Sequence, residues 1–301
     1  MILPRHSAVS VVVGLTAALF QPALAQSLPN QDRPFAPRDQ KNRTTYSPVA
    51  AETAVNVRHL ESSGPDDWSV AETANFRIFH LRSRELADQA ARLAEQTRTD
   101  MLRRWFGGPC KDWVEPCDLY LYPTGEDYHR CTGAPAYSSG HSSFSWTGNG
   151  VIHRRIDVHC DDPNLLTGVL PHETAHGVLA GRFGHRQVPR WADEGMAVLT
   201  EPRDKIRRHL RFLPDLRRDR QLFGVRELME LAEYPPPERI PAFYAQSISL
   251  VQFLSTEKGP QVFTSFVRDG MNAGYELALK QYYGWDLAEL GRRWQCHAFR
   301  E

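Results

Sequence analysis

The chain has 301 residues, and its 36 Lys and Arg balance 36 Asp and Glu, so the formal net charge is zero. This balance argues against a nucleic-acid binder that depends on bulk positive charge. With 41% hydrophobic and 24% charged residues, the composition is typical of a globular protein that buries a substantial core.

The first 25 residues are typical of a secretory signal peptide. Arg5 precedes an uncharged apolar run over residues 8–20, and Ala23-Leu24-Ala25 is a small-x-small cleavage signal. The run is short for a membrane span; the alternative is an uncleaved N-terminal anchor. We expect cleavage after Ala25 and an exported protein, periplasmic or extracellular, with no stable membrane insertion.

Residues 26–66 are predicted to be a flexible leader. From Gln26 to about Asn56 the chain is rich in Pro, Gln, Asn, Arg and Thr and has no hydrophobic periodicity. Order is predicted to begin near Asp67, which leaves one domain over residues 67–301.

Five cysteines lie after the predicted cleavage site, and none forms a CxxC pair, so a cysteine-based zinc site is not expected. An oxidising compartment favours disulfides. Cys110 with Cys117, and Cys131 with Cys160, are the candidate local bridges, which leaves Cys296 over. The alternative is that some or all remain thiols.

The first half of the predicted domain contains strands and one long helix. Residues 75–80 alternate apolar and polar side chains, as a half-buried strand does. Residues 86–105 follow helical spacing, and Gly107-Gly108 ends that helix. Further strands are predicted over 118–122 and 151–158, with a loop or hairpin between them.

After Leu165 the pattern becomes mostly helical. Helices are predicted over residues 165–179, 189–200, about 244–254, from Pro260 onward, and after a capping box at Asp286–Glu289. This order predicts an α+β fold in which a small mixed sheet with one helix precedes a helical half.

The segment His172-Glu173-Thr174-Ala175-His176 is the main chemical signal. On a helix, positions i and i+4 share a face, so both imidazoles can reach one metal ion. A bound zinc ion lowers the pKa of its water to about 7, and Glu173 is placed to take the proton during attack and deliver it to the leaving group. The alternative is a helix with two surface histidines.

A catalytic zinc needs a third protein ligand and an open position. Glu194 lies 18 residues after His176, beyond a loop with glycines and Pro189 that lets a second helix return beside the first. Trp191 and Met196 are then core, and Gly195 permits close helix approach. The alternative for Glu194 is a surface carboxylate.

HExxH followed by Trp-x-x-Glu-Gly-x-Ala resembles the gluzincin metallopeptidases, the thermolysin and aminopeptidase-like group, and is most similar to bacterial peptidase MA-like domains. Tyr244-Ala245-Gln246-Ser247, Lys258-Gly259-Pro260 and the segment 284–290 before Trp294 extend the likeness over about residues 75–297. The Gly-x-Met-Glu-Asn motif of the exopeptidase branch is absent, which argues against aminopeptidase activity.

The resemblance implies a zincin-like fold and one zinc ion per chain. His172, His176 and Glu194 are its implied ligands, and Glu173 is the base and acid. Tyr244 resembles the residue that stabilises the transition state in gluzincins; the alternative is a core tyrosine. Gln246 is a weaker candidate for that role.

Several other residues have two interpretations. Asp193 either orients a ligand histidine or lies on the helix surface. His185, Tyr137 and His141 are candidates for the cleft wall. The basic residues over 203–218 form a solvated face or meet an acidic substrate or envelope polymer. The edge strand is a candidate for binding an extended peptide by strand addition.

These patterns predict an exported zinc metallopeptidase that hydrolyses peptide bonds in a peptide or protein substrate. One alternative is a zinc-dependent amidase that acts on cell-envelope material with the same residues. The other is a non-catalytic zinc-binding domain that binds a partner.

Overall fold

The computed structural model describes residues 9–17 (as backbone), 55–60, 68–81, 83–148, 150–183 and 186–299. The strands are β1 Val9–Ala17, β2 Arg58–Leu60, β3 Ser69–Glu72, β4 Phe76–His80, β5 Cys117–Tyr122, β6 Ser138–Thr147 and β7 Gly150–His159. The helices are α1 Arg84–Phe106, α2 Gly125–Thr132, α3 Leu170–Leu179, α4 Arg190–Val198, α5 Arg203–Leu210, α6 Leu213–Arg218, α7 Val225–Glu230, α8 Ile240–Lys258, α9 Pro260–Ala273, α10 Tyr275–Tyr283 and α11 Leu287–Phe299. The predicted α+β class, a mixed sheet before a helical half, is confirmed.

The sheet has the strand order β1-β6-β7-β5-β4-β3-β2. The central β4, β5 and β7 run parallel, and the flanking pairs are antiparallel. β6 and β7 form a hairpin, so the region predicted as loop or hairpin contains a strand that pairs along most of its length with β7. This hairpin brings β6 next to α3, the helix that carries the two histidines.

α1 connects the parallel strands β4 and β5, and its ends follow the sequence signals. The Ser83 side chain accepts a hydrogen bond from the Leu86 N–H, and Gly107 ends the helix at φ 82°, a conformation that glycine adopts without steric cost. One face of α1 is a series of buried alanines, which lets the helix pack closely on the sheet.

The two largest apolar clusters of the core lie on either side of α3. One lies between the sheet and α1 and includes Phe76, Ile78 and Leu119. The larger one lies among the helices and includes Trp191 and Met196, both fully buried as predicted. α3 is buried at every position, because it lies between the sheet and the other helices.

Gly195 allows α4 and α8 to approach closely. A Cβ at this position would lie 2.5 Å from Val251 Cγ2 and 2.9 Å from the Ser247 carbonyl oxygen, closer than van der Waals contact permits. The predicted role of Gly195 is confirmed.

The two candidate disulfides are not formed in the structure, where all five cysteines are free thiols. Cys117 is buried in the cluster beneath the sheet, whereas Cys110 packs against the helical cluster. Cys131 is exposed on α2, but Cys160 packs against the sheet cluster. Each candidate pair is therefore divided between different environments.

Two strands lie within segments that were predicted to precede the domain. β2 falls in the predicted leader and pairs with β3, so ordered structure begins before Trp68. β1 falls in the predicted signal peptide and pairs with β6; the cleavage itself stays a prediction. Among the described residues, no helix has the length and apolar character needed to cross a membrane.

Candidate active site

α3 places the two histidines of the HExxH motif on one face. A π-helical turn over Leu165–Val169 leads directly into the helix, and Pro171 lies in its first turn, where a missing N–H costs little. His172 and His176 are each 1% exposed. Their Nε2 atoms lie 3.1 Å apart.

Glu194 on α4 completes the group. Its Oε2 lies 3.4 Å from Nε2 of His172, and its Oε1 lies 3.7 Å from Nε2 of His176. The hydroxyl of Tyr234 donates a hydrogen bond to Oε1. Oε2 is fully buried and lacks a well-formed hydrogen bond within the described part of the chain.

This donor set fits a zinc ion. His172, His176 and Glu194 offer three ligand atoms within 4.8 Å of one another. Two ligands at tetrahedral zinc, with bonds of about 2.0–2.1 Å, lie roughly 3.3–3.4 Å apart, close to the separations observed. A buried carboxylate oxygen without a hydrogen bond is costly, and coordination of a cation gives it a partner.

Each histidine is oriented by a carboxylate at its other ring nitrogen. Nδ1 of His172 lies 2.7 Å from Glu201 Oε1, and Lys205 Nζ lies 2.8 Å from Glu201 Oε2. Such contacts fix the ring so that Nε2 faces the metal position.

Asp193 orients the His176 ring in the same way. Its Oδ1 lies 3.0 Å from His176 Nδ1, and Gln187 Nε2 donates to Oδ2 at 2.9 Å. Asp193 is 2% exposed, so the helix-surface interpretation is wrong.

The electrostatics of the group favour positive charge at its centre. Burial lowers the pKa of His172, but hydrogen bonds to Glu194 and Glu201 outweigh it and raise the pKa to about 10. Burial raises the pKa of Glu194, but the two histidines outweigh it and lower the pKa to about 2. The raised pKa of His172 indicates that the surrounding carboxylates favour a positive charge at this position.

Glu173 is fully buried beside the two histidines. The hydroxyl of Ser142, on β6, donates a hydrogen bond to Glu173 Oε2 at 2.5 Å. The sheet therefore holds the candidate general base, whereas the helices hold the metal ligands.

Two tyrosines lie close to Glu194. Tyr234, from the segment before α8, contacts the ligand directly. Burial and the charges of Glu194 and Glu173 raise the pKa of Tyr244 well above its usual value, so its hydroxyl keeps its proton at neutral pH and is a hydrogen-bond donor. The structure brings the predicted Tyr244 into the site.

His209 on α5 also reaches this region. Its ring centroid lies 5.8 Å from that of Tyr244. Burial lowers the pKa of His209 to about 4, so the ring is neutral near pH 7 and can donate or accept a hydrogen bond.

The other residues that the sequence suggested for the site have different surroundings in the structure. Gln246 hydrogen-bonds the backbone of Phe223 through both ends of its amide, so the predicted transition-state role is wrong. Tyr137 is 48% exposed. His141 contacts Tyr128 and Asp157. His185 lies outside the described residues.

Ser142, Glu201, Tyr234 and His209 were not identified from the sequence. Each comes from an element that is separate in sequence from the HExxH helix, and none belongs to a motif with defined spacing. Only Glu201 carried a signal: it is an acidic residue a few positions after Glu194, just beyond the end of α4 at Val198.

A buried His-His-Glu group on two packed helices, with a glutamate beside it, defines a metallopeptidase-type site. The family model of the Peptidase MA superfamily matches residues 100–299, more than half of the chain. The chain therefore belongs to the Peptidase MA superfamily. No curated protein matched the chain.

Proposed function

We propose that this chain is an exported zinc metallopeptidase of the gluzincin group that hydrolyses peptide bonds. The observation that carries the proposal is the convergence of His172, His176 and Glu194 on one buried point beside Glu173. Family membership supports a peptidase, and the donor set supports zinc over a hard cation, which prefers oxygen ligands.

When bound, zinc lowers the pKa of a coordinated water and polarises a carbonyl group. The carboxylate of Glu173 takes a proton from the attacking water and passes it to the leaving nitrogen. Ser142 holds that carboxylate through Oε2. The hydroxyl of Tyr244 donates a hydrogen bond to the oxyanion that develops on the substrate carbonyl.

Strand addition at β6 is the proposed way of presenting substrate. β6 pairs with β7 on one side and with β1 on the other. Removal of β1 by the predicted cleavage after Ala25 would leave β6, which carries the Ser142 that contacts Glu173, as an edge strand. An extended peptide paired there would pass close to the general base.

The test is mass spectrometry of a diverse peptide mixture incubated with the zinc-loaded mature protein and with its Glu173→Gln variant. Glutamine keeps the shape of the side chain but cannot accept the proton. We expect cleavage by the wild type and a loss of about 10²- to 10⁴-fold in the variant, with zinc still bound.

Other outcomes separate the alternatives. Cleavage by both proteins would contradict the role of Glu173. No peptide cleavage, with turnover of peptidoglycan fragments, would indicate the amidase. No turnover of either material, with zinc bound, would indicate the non-catalytic domain.

A further inference from the structure

One arginine near the metal-ligand group is buried without a partner of its own. Arg190 is the first residue of α4 and is 5% exposed. Its Nε and Nη1 atoms are buried and have no hydrogen-bond partner within the described part of the chain. In the same part, no carboxylate forms an ion pair with it. A buried guanidinium without hydrogen bonds is costly, so its place in the fold requires an explanation.

Arg190 is connected to the candidate ligand Glu194 through Tyr234. The two α4 residues are four positions apart, so their side chains leave the helix on one face, with Cβ atoms about 5–6 Å apart. Cζ of Arg190 lies 4.8 Å from the centroid of the Tyr234 ring. The hydroxyl of that ring donates a hydrogen bond to Glu194 Oε1. Burial and Glu194 raise the pKa of Tyr234, and the charge of Arg190 opposes this increase.

The Tyr234 ring depends on side-chain contacts for its position. Tyr234 lies between α7 and α8 and belongs to neither a helix nor a strand. Arg190 lies over the ring, and the buried Phe243 contacts it in a T-shaped arrangement with centroids 5.8 Å apart. A planar, delocalised guanidinium stacks well on an aromatic face. Arg190 is therefore placed to hold the ring in the orientation in which its hydroxyl reaches Glu194.

The hydrogen bond from Tyr234 distinguishes the two carboxylate oxygens of Glu194. Oε1 accepts that bond, whereas Oε2 is buried without a well-formed hydrogen bond and lies 3.4 Å from Nε2 of His172. Oε2 is therefore the oxygen that is available to a metal ion. Binding through one oxygen uses one coordination position and leaves another open, as a catalytic zinc site requires.

The positive charge of Arg190 fits a zinc-loaded site. Four carboxylates around the metal position are at most 7% exposed: Glu173, Asp193, Glu194 and Glu201. A zinc ion supplies two positive charges, and Lys205, which pairs with Glu201, supplies a third. Arg190 supplies the fourth, since histidines that bind a metal are neutral. The buried group is then neutral as a whole, which explains an arginine that lacks a carboxylate of its own.

We propose that Arg190 is a positioning residue for the metal centre: it holds the Tyr234 ring, Tyr234 engages Oε1 of Glu194, and Oε2 alone is left to bind the metal. The inference rests on the metal site of the proposed function. It concerns how Glu194 binds and not the reaction that follows.

The first experiment measures zinc affinity by competition with a chromophoric chelator in Arg190→Lys. Lysine keeps the positive charge but not the planar group that stacks on the ring, so the effect of charge on zinc is retained. We expect affinity to fall about three- to tenfold, less than the 10–100-fold typical of a residue that contacts a ligand directly. Arg293→Lys is the control, because Arg293 also lies 4.8 Å from an aromatic centroid, that of Trp285, but is exposed on α11.

A second background tests whether Arg190 acts through Tyr234. In Tyr234→Leu, which has no ring or hydroxyl, Arg190→Lys should cause no further change in zinc affinity. An equal loss in both backgrounds, or unchanged affinity of Arg190→Lys in the wild-type background, would overturn the proposal.

Cobalt provides a test that does not depend on how Arg190→Lys folds. Co²⁺ is loaded in place of zinc, and its visible absorption reports the coordination number. Tyr234→Phe keeps the ring but frees Oε1, so Glu194 can bind through both oxygens and the visible bands should lose intensity. Arg190→Lys should change the spectrum in the same direction, and Arg293→Lys should not. A spectrum of Tyr234→Phe identical to that of the wild type would overturn the proposal.

These measurements need no turnover, so they separate the inference from the proposed peptidase. The expected affinities and spectra in a protein that cleaves no peptide would support the role of Arg190 and contradict the peptidase. Peptide cleavage that requires Glu173, without the expected affinities and spectra, would support the peptidase and overturn the role of Arg190.

Discussion

The two sides of the site are built in different ways. The metal-ligand side comes from α3 and α4, which follow one another in the chain and pack together, and each histidine has its own carboxylate. The water and substrate side is assembled from β6, α5 and α8, which are far apart in sequence. The first side therefore depends on local helix geometry, and the second depends on how the sheet and the helical half meet.

This difference predicts that substitutions on the two sides affect different measured properties. Changes on the metal-ligand side should weaken zinc binding, and activity should fall only as a consequence. Changes on the water and substrate side should reduce kcat or alter KM while zinc remains bound. Each variant below is therefore measured for both zinc affinity and peptide turnover.

Tyr244→Phe should have the largest effect among the supporting residues. It removes the proposed oxyanion donor, which is typically worth about 10²- to 10³-fold in kcat. Zinc should remain bound. The matched variant Tyr234→Phe removes a hydroxyl that contacts Glu194, so it should weaken zinc binding first. Full activity of Tyr244→Phe would remove that residue from the mechanism.

Glu201→Gln should weaken zinc binding by about 10- to 100-fold, because the carboxylate orients His172 and makes its Nε2 a better donor. Competition with a chromophoric chelator measures the change. Asp204→Asn is the control, since Asp204 is an exposed acid on the adjacent α5. Equal affinities in the two variants would show that Glu201 does not support the metal.

Ser142→Ala should lower kcat by about tenfold, because a hydrogen bond to a charged group contributes about 1.5–3 kcal/mol and holds Glu173 in place. Zinc affinity should not change. Ser143→Ala is the matched control on the opposite face of β6. If both serine variants behave alike, β6 does not position the base.

His209→Gln should change the pH dependence of stability. The folded pKa of about 4 lies below the unfolded value near 6.5. The contribution of His209 is therefore present in full above pH 6.5 and is lost as the pH falls towards 4. The charged groups around it are the favourable Glu201 and the unfavourable His172, Lys205 and Arg208.

We expect the metal-free wild type to lose about 1–2 kcal/mol more than His209→Gln between pH 7 and pH 5. Chemical denaturation at the two pH values, with chelator present, measures the free energies of unfolding. Parallel pH profiles would show that the His209 ring is solvated in the folded protein.

The metal-ligand side was predictable because its signals are local. The i, i+4 spacing identified the two histidines. The Gly- and Pro-containing loop after α3, which lets α4 pack beside it, identified Glu194. The role of Gly195 and the cap of the last helix were also predictable from local sequence. In that cap, the Glu289 N–H donates a hydrogen bond to Asp286 Oδ1 at 2.7 Å.

The water and substrate side was not predictable from local sequence signals. Ser142 reaches Glu173 only because β6 pairs with β7, and no periodicity encodes that pairing. Gln246 lies on the same helix as Tyr244, yet its amide hydrogen-bonds the Phe223 backbone instead. The helix α2 was missed in a Gly- and Ser-rich region, although Thr124 and Gly133 cap it and were available as signals.

The zinc content of the purified mature protein is the most direct test of the central claim. It is measured by inductively coupled plasma mass spectrometry for the wild type, His172→Ala, Glu194→Ala and the control His153→Ala, which alters a part-buried histidine on β7 that is paired with Asp118. The account predicts one zinc per chain in the wild type and the control and almost none in the two ligand variants. A wild type that binds no zinc, or ligand variants that retain it in full, would contradict the account.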